Sequence, residues 1–353
     1  MIRSIPQLEA LRDEWDALAA PRRTPLLEHD WFLSCAEAFH RDGDLRIVTA
    51  REHGRLVGVA PLVQDTEHSE LRLTLLGATR LFEPCDWLHQ TPEAAADLAD
   101  RALAIGSPLV LQRVPVGSAT VSALRGRRSR RALTVVRNTA PALGVRTEGD
   151  WRTYLGSLSS QITSNLRRVR RKAEAALGPM TVERVHPAPA DVDPLLEAFI
   201  AIEASGWKGR RGSNLGSRAD LREFFRRYAH RAAGRGRLQV ARLRFGSQLA
   251  AAELSVAAHG RMWQLKIGYH EAVSAYYPGL HLTAASIEAA FERGLEAYEF
   301  LGSAAPWEER WNPEVRRFQT LGAYPMTAAG LAGAGRDLVS SLLRRVPGRT
   351  SPS

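Results

Sequence analysis

Between residues 264 and 282 the sequence reads QLKIGYHEAVSAYYPGLHL, which begins as a strand and ends as a helix. The handover falls at Tyr276-Tyr277-Pro278-Gly279. A helix N-terminus presents amide N–H groups with no partner inside the helix, and the positive end of the helix dipole, an arrangement that suits a phosphate or pyrophosphate. Gly279 carries no side chain to keep a ligand off the backbone, Leu280 supplies a further first-turn amide, and Pro278 pre-sets the first helical turn. Tyr276 and Tyr277 could pack along a bound ligand or offer a hydroxyl. The plainer reading is a helix-starting turn whose tyrosines cover the edge of a core.

Other residues join this list by type and setting. Lys266 alternates with apolar neighbours on a strand expected to be central, so it needs a partner or a ligand if it points inward. Glu253, set among alanines and leucines on the neighbouring strand, raises the same question. Glu203 precedes a glycine-bounded loop holding Trp207 and Lys208, and a tryptophan in so polar a loop is costly unless it covers something. We expect these three residues to contact substrate. GRRGSNLG (209–216) is not a dinucleotide fingerprint, because it follows a helix rather than a strand. The helix 165–176 carries Arg167, Arg168, Arg170, Arg171 and Lys172, either as a solvated face or as a platform for an anionic partner. No histidines stand at metal-ligand spacing and no Ser-His-Asp pattern is present, so no metal is expected.

The elements that must position these groups fill 353 residues, enough for about two domains. Basic residues outnumber acidic ones, 48 to 38, for a net charge of +10, which favours anionic partners. Arginine has nearly displaced lysine, however, and a GC-rich coding bias would produce the same excess. The three remaining lysines are Lys172, Lys208 and Lys266, all inside segments singled out on other grounds. No apolar run is long enough to span a bilayer, and the first residues lack the apolar stretch of a signal peptide. With only Cys35 and Cys85, a disulfide framework is excluded and a reducing cytoplasmic setting is expected.

Along the chain, residues 8–40 read as two helices and 45–63 as a hairpin turning at His53-Gly54. A strand at 71–78, a helix at 92–106 and two more strands complete the first half near residue 147. The second half opens with helices from 151 to 177, divided near 157–160. A strand follows at 180–185, then two helices, three antiparallel strands at 237–271, the strand-to-helix motif and a strand at 296–302. Hairpin 47–59 reappears 193 positions later as 240–252. Two tandem α+β units follow from that repeat, each a mostly antiparallel sheet with flanking helices. They span residues 1–147 and 148–326, with a basic helical tail at 327–353.

This order of elements resembles that of GNAT acetyltransferases. SNLRRVRRKAEAALG, EASGWKGRRGSNL and LKIGYHE…YYPGLHL…IEAAFERGLEAYEFLGSAAPW are similar to stretches of the CelD-type, cellulose-biosynthesis-associated branch, which is related to the FemABX peptidyltransferases. The amino-terminal EWDALA…HDWFLSCAEAF…GRLVGVAPL…LLGA also fits, so the likeness covers most of residues 8–311. Two departures stand out. Pro306-Trp307 leads into Glu308-Glu309 where the family often has a basic residue, and only Gly279 represents the usual phosphate loop.

The resemblance implies acyl transfer from acetyl-CoA or another acyl-CoA, a co-substrate rather than a tightly bound cofactor, to an amine or hydroxyl of a small molecule or sugar precursor. Direct attack on a thioester requires a base, an oxyanion donor and an acid for the leaving thiolate. Glu271 is then the candidate base and Tyr269 or Tyr276 the acid. Lys266, Tyr277, Pro278, Gly279 and Leu280 would hold the donor. The first unit lacks a phosphate loop and is expected to serve as scaffold or acceptor side. An aminoacyl-tRNA donor on the same fold, or a non-catalytic binding protein, are the alternatives; DNA and integral membrane contact are not expected.

Overall fold

The computed structural model describes residues 1–41, 43–65, 71–126, 132–205 and 215–345, the last five by backbone alone. In the first half, helices α1 (Ile5–Glu9), α2 (Arg12–Ala19) and α3 (His29–Phe39) precede strands β1 (Val48–Glu52), β2 (Arg55–Ala60), β3 (Leu62–Asp65) and β4 (Arg72–Leu75). Then come α4 (Ala78–Leu81), β5 (Leu88–His89), α5 (Pro92–Leu103), β6 (Leu109–Pro115), α6 (Ala119–Arg125) and β7 (Ala132–Arg146). The second half runs α7 (Trp151–Ser157), α8 (Ser160–Leu177), β8 (Met180–Val185), α9 (Val192–Ser205), α10 (Ala219–Gly234), β9 (Leu238–Phe245), β10 (Gln248–Ala258) and β11 (Arg261–Tyr269). It closes with α11 (Pro278–Glu292), β12 (Ala297–Phe300), β13 (Glu314–Pro325) and α12 (Ala328–Arg345).

The α+β class and the doubled hairpin are both present. At the 193-residue offset, residues 55–65 fall on 248–258, the whole of β10. The first hairpin turns through two consecutive left-handed residues, His53-Gly54, the geometry that matches the twist of paired strands, whereas its copy turns at Gly246-Ser247, where Gly246 alone is left-handed at φ +55°. The copies differ at a second place. Pro61 splits the first copy into β2 and β3, since proline cannot donate to a ladder. The equivalent Leu254 lies inside an unbroken β10, at a bulge against β11.

The two units do not own separate sheets. Ten strands form one sheet in the order β3-β4-β6-β13-β7-β12-β11-β10-β9-β8, with β1-β2-β5 as a small second sheet. The division expected at residue 147 is crossed twice. Strand β7 pairs with β12 of the second half, and β13, which the sequence reading did not mark as a strand, inserts between β6 and β7. One apolar core joins Trp15, Phe32 and Leu73 of the first half to Phe199, Phe224 and Trp263 of the second. At its centre Trp31 of α3 meets the edge-on rings of Phe224 and Tyr228 of α10, each about 5.0 Å away. Ion pairs rim the same seam, with Arg231 to Glu37 at 2.8 Å and Arg235 to Asp30 at 2.5 Å.

Smaller departures have local causes. The strand expected at 71–78 stops at Leu75 because Gly77 adopts φ +81° and turns the chain into α4. Helix α7 ends at Ser157 and α8 begins at Ser160, as expected; α7 is capped by Asp150, whose carboxylate accepts from the Thr153 amide. Among the described residues no helix is long and apolar enough to cross a membrane.

Candidate active site

Strands β11 and β12 run parallel, joined by α11, and pair only from Arg261–Ala297 to Gln264–Phe300. Beyond Gln264, β11 continues for five residues beside β10, while β12 stops at Phe300 and turns away. Leu265 is the extra residue of a bulge, lying between Gln264 opposite Ser255 and Lys266 opposite Leu254. A bulge bends its strand and sharpens the local twist, which drives β11 away from β12. The strand edge from Leu265 to Tyr269 therefore borders a wedge-shaped opening, and its backbone N–H groups are the candidate oxyanion donors.

At the foot of this wedge lies a small cavity of about 40 Å³. Leu265 and Lys266 of β11 and Leu301 just past β12 form one side, and Leu221 and Phe225 of α10 another. The first unit closes it with Trp31, Arg80, Leu81 and Glu83. Two larger hollows, of about 570 and 440 Å³, lie at the end of α5 and beneath α12, and no residue of β11 or β12 lines either.

The opening has an unusual concentration of charge for its burial. Glu83 accepts a 2.8 Å hydrogen bond from the amide of Gly302. Burial pushes its carboxyl up to about 7, against the opposing pull of that hydrogen bond and of the Arg113 and Lys266 charges. Glu308, 4 % exposed, accepts from the Ala305 amide at 3.2 Å. It is likewise raised to about 7 by burial, with the Glu83 charge adding to the rise. Arg113 is fully buried between the rings of Phe82 and Phe318, each centroid 5.1 Å from the guanidinium carbon. It sits in a bulge of β6 at φ +52° and donates to the Phe82 carbonyl at 2.9 Å and to Ser303 Oγ at 3.5 Å. The Nζ of Lys266 lies 5.2 Å from the centroid of Phe225.

At the other end of the wedge, a 3-10 turn from Glu271 to Tyr276 leads to Tyr277, which adopts φ +49° and precedes Pro278 at the start of α11. This helix has neither a side-chain cap nor an acidic residue in its first turn. His281, one position beyond that turn, is buried with no partner on Nε2. Burial lowers its pKa to about 4, helped by the positive charge of Arg170 on α8 and opposed by Glu174. The start of α11 thus combines open amides with a nearby ion pair, Arg170 to Glu174 at 2.9 Å.

The expected site residues divide into groups. Lys266 reaches the cavity, while Pro278, Gly279 and Leu280 occupy the first turn of α11. Tyr277 is 52 % exposed beside them. Tyr269 packs toward Gly279, its Cδ1 only 3.4 Å from where a side chain there would begin. Tyr276 lies edge-on to Phe245 at 6.3 Å, so its ring serves the third apolar cluster. Glu271 begins the 3-10 turn, partly buried. Glu203 is buried at the end of α9 and accepts from the Leu215 amide at 2.9 Å, tying down the far end of the loop that follows it. Trp207 and Lys208 lie outside the described residues. Glu253 is the buried carboxylate anticipated among alanines. It accepts from Tyr298 Oη at 2.9 Å and from Gln264 Nε2 at 3.2 Å, and burial raises it to about 7. The arginines of α8 are exposed.

Glu83, Arg113 and the structural position of Glu308 escaped the sequence reading. Glu83 lies in an irregular segment, LFEPCDW, with no periodicity and no motif. It meets Gly302 across a separation of 219 residues. Glu308 did leave a trace, as the acid standing where related sequences often have a base.

Comparison with known proteins agrees with this geometry. Residues 160–309 match the model of the acetyltransferase (GNAT) domain family. Curated proteins give no match. Among solved structures, FemX aligns at 11 % identity over 93 % of this chain and 98 % of its own, with a TM-score of 0.64. L-PGS from Bacillus licheniformis aligns at 12 % identity over 96 % and 97 %, with a TM-score of 0.56. A conserved protein of unknown function from Bacteroides thetaiotaomicron aligns at 10 % identity over 89 % and 96 %, with a TM-score of 0.60. The chain has a GNAT-like acyltransferase fold.

Proposed function

We propose that the protein transfers an acyl group, most simply acetyl, from a CoA thioester to an amine or hydroxyl of a small molecule or sugar-type acceptor. The observation that carries this reading is the divergence of the parallel pair β11–β12 beyond Gln264 and Phe300, with the uncapped start of α11 at its far end. A pyrophosphate at the amides of Gly279 and Leu280 would be held by hydrogen bonds and dipole. The thioester would then lie along β11 beyond Gln264, where a backbone N–H can take the carbonyl oxygen as negative charge develops on it. The CelD-type likeness and a cytoplasmic setting belong to the same proposal.

Calorimetric titration of acetyl-CoA into wild type and Gly279→Glu tests it. Space exists for the new side chain to start, since the nearest atom to its Cβ would be Tyr269 Cδ1 at 3.4 Å. Its carboxylate would occupy and repel the phosphate position, so saturable binding by wild type and none by the variant is expected. Wild type that binds no CoA species would refute the reading.

A second reading changes the donor to an aminoacyl-tRNA, as the likeness to FemABX peptidyltransferases implies. The exposed basic row on α8, Arg167, Arg168, Arg170, Arg171 and Lys172, favours it, because phosphate contacts dominate tRNA binding. Binding of charged tRNA that weakens steeply with salt, alongside indifference to CoA, would select it.

A further inference from the structure

We infer that Glu83, carried by the first unit, is the catalytic base of the second unit's active site, accepting the proton of an attacking primary amine. The inference rests on the acyl-transfer reading above and adds to it the group that activates the acceptor.

Four observations converge on this carboxylate. It lines the cavity at the foot of the wedge together with Leu265 and Lys266. One oxygen, Oε2, is held by the Gly302 amide two residues past the end of β12, so the side chain is pinned at the lip of the opening. The rest of the cavity wall is dominated by Trp31, Leu81, Phe225 and Leu301, which would strip water from an incoming amine and favour its neutral form. Finally, the charged groups facing it come from every neighbouring element: Arg113 from β6, Lys266 from β11, Glu308 beyond β12 and Arg80 on α4. Burial raises the carboxyl to about 7 against the pull of the Gly302 amide, Arg113 and Lys266, which is where a general base works best.

The step balances without any further reactant. The amine nitrogen attacks the thioester carbonyl, a C–N bond forms and the oxygen takes the charge. Glu83 accepts one N–H proton as the tetrahedral adduct collapses, the C–S bond breaks and the thiolate leaves with its electron pair. The proton then passes from Glu83 to the thiolate or to solvent, restoring the carboxylate. A cavity of about 40 Å³ has room for only a few non-hydrogen atoms, so it takes the amino end of an acceptor whose apolar arm lies outside it.

The test measures thiol release from acetyl-CoA with n-hexylamine as probe, for wild type, Glu83→Gln and Glu83→Asp, from pH 5.5 to 9. Glutamine keeps an oxygen for the Gly302 amide, so an unchanged thermal midpoint and unchanged acetyl-CoA affinity are expected. Turnover should fall by about 10²-fold or more in Glu83→Gln. The rise in wild-type kcat/KM through pH 7, where the carboxylate forms, should vanish, and Glu83→Asp should recover part of both. Full activity with the same pH limb in Glu83→Gln would overturn the assignment. So would a loss of activity accompanied by weaker donor binding or a lower midpoint, which would mark a structural role. Wild type that binds acetyl-CoA but acylates no amine would overturn it while leaving the donor site standing, and wild type that binds no donor would remove the reading on which it rests.

Discussion

The two units contain the same parallel strand pair bridged by a helix, and they treat the space beside it in opposite ways. In the first unit β4 and β6 pair through Leu73–Leu109 and Thr74–Val110, and then β4 ends. The chain comes back to fill the gap it leaves. The Cys85 amide donates to the Arg113 carbonyl at 3.3 Å, and Leu88 and His89 pair with β2. Asp86, buried, accepts from Ser118 Oγ, Thr120 Oγ1 and the Trp87 amide at 2.6–2.8 Å. In the second unit the connection between strand and helix, residues 270–277, is half as long as residues 76–91.

The bridging helices repeat the contrast. Each begins with proline, Pro92 or Pro278, but α5 is capped by the Thr91 hydroxyl, which accepts from the Ala94 amide, and has Glu93 in its first turn. Helix α11 has no such acceptors. A helix end that satisfies itself is structural, whereas one left open can receive an anion. The duplication thus yields one helix start closed on itself and one left open. The first unit is not inert, since the segment that fills its gap also delivers Glu83 to its neighbour.

Glycine substitutions test this contrast most severely. Gly77 holds φ +81°, and a methyl there would run into Cys35 Sγ, so Gly77→Ala should cost about 3 kcal/mol in urea unfolding. Its affinity for acetyl-CoA, measured under native conditions, should not change. Gly279→Glu is expected to behave in the opposite way, losing the donor while keeping its unfolding midpoint. Next in size, Asp86→Ala removes the acceptor of three hydrogen bonds, two of them buried, and should cost about 2–3 kcal/mol, again with donor affinity intact. If either first-unit variant weakened donor binding in the folded state, the division of labour would be wrong.

The smallest effect concerns Glu253, inside the second unit's core. Its folded-state pKa of about 7 lies above the 4.5 of an ordinary glutamate. Between those values the folded protein keeps a proton that the unfolded chain has lost, so stability falls as pH rises through this window and levels off above 7. Glu253→Gln should be more stable than wild type at pH 8, relative to their difference at pH 5, by on the order of 1–2 kcal/mol. Glu83 and Glu308 slope the same way, and His40 and His281, both lowered to about 4, slope oppositely between pH 4 and 6.5. All four remain in the variant, so the comparison isolates Glu253. Equal pH profiles would mean that Glu253 does not titrate in this range.

The sequence made the repeating parts legible, because they rest on local rules. The first hairpin was marked by alternation and a His-Gly turn, its copy by the 193-residue offset, and the start of α11 by its proline-glycine pair. The buried acid Glu253 stood out against its alanine neighbours. The composite parts were not legible. Nothing around Glu83 or Arg113 indicates that residues 302 and 303 will arrive beside them, and a bulge such as that at Leu265 has no composition of its own. Strand β13 carries arginines and exposed positions along its first half, so its pattern does not announce a strand held between two others.

That interleaving has a consequence for how the chain reaches its native form. Strands β6 and β7 are made early, yet both wait for β13 between them, with Phe318 opposite both Pro115 and Thr139. Such distant pairings close long loops before any contact rewards them, which slows folding. On the ribosome the first unit would emerge with two strand edges unpaired until the second had been synthesised, so the two halves must mature together.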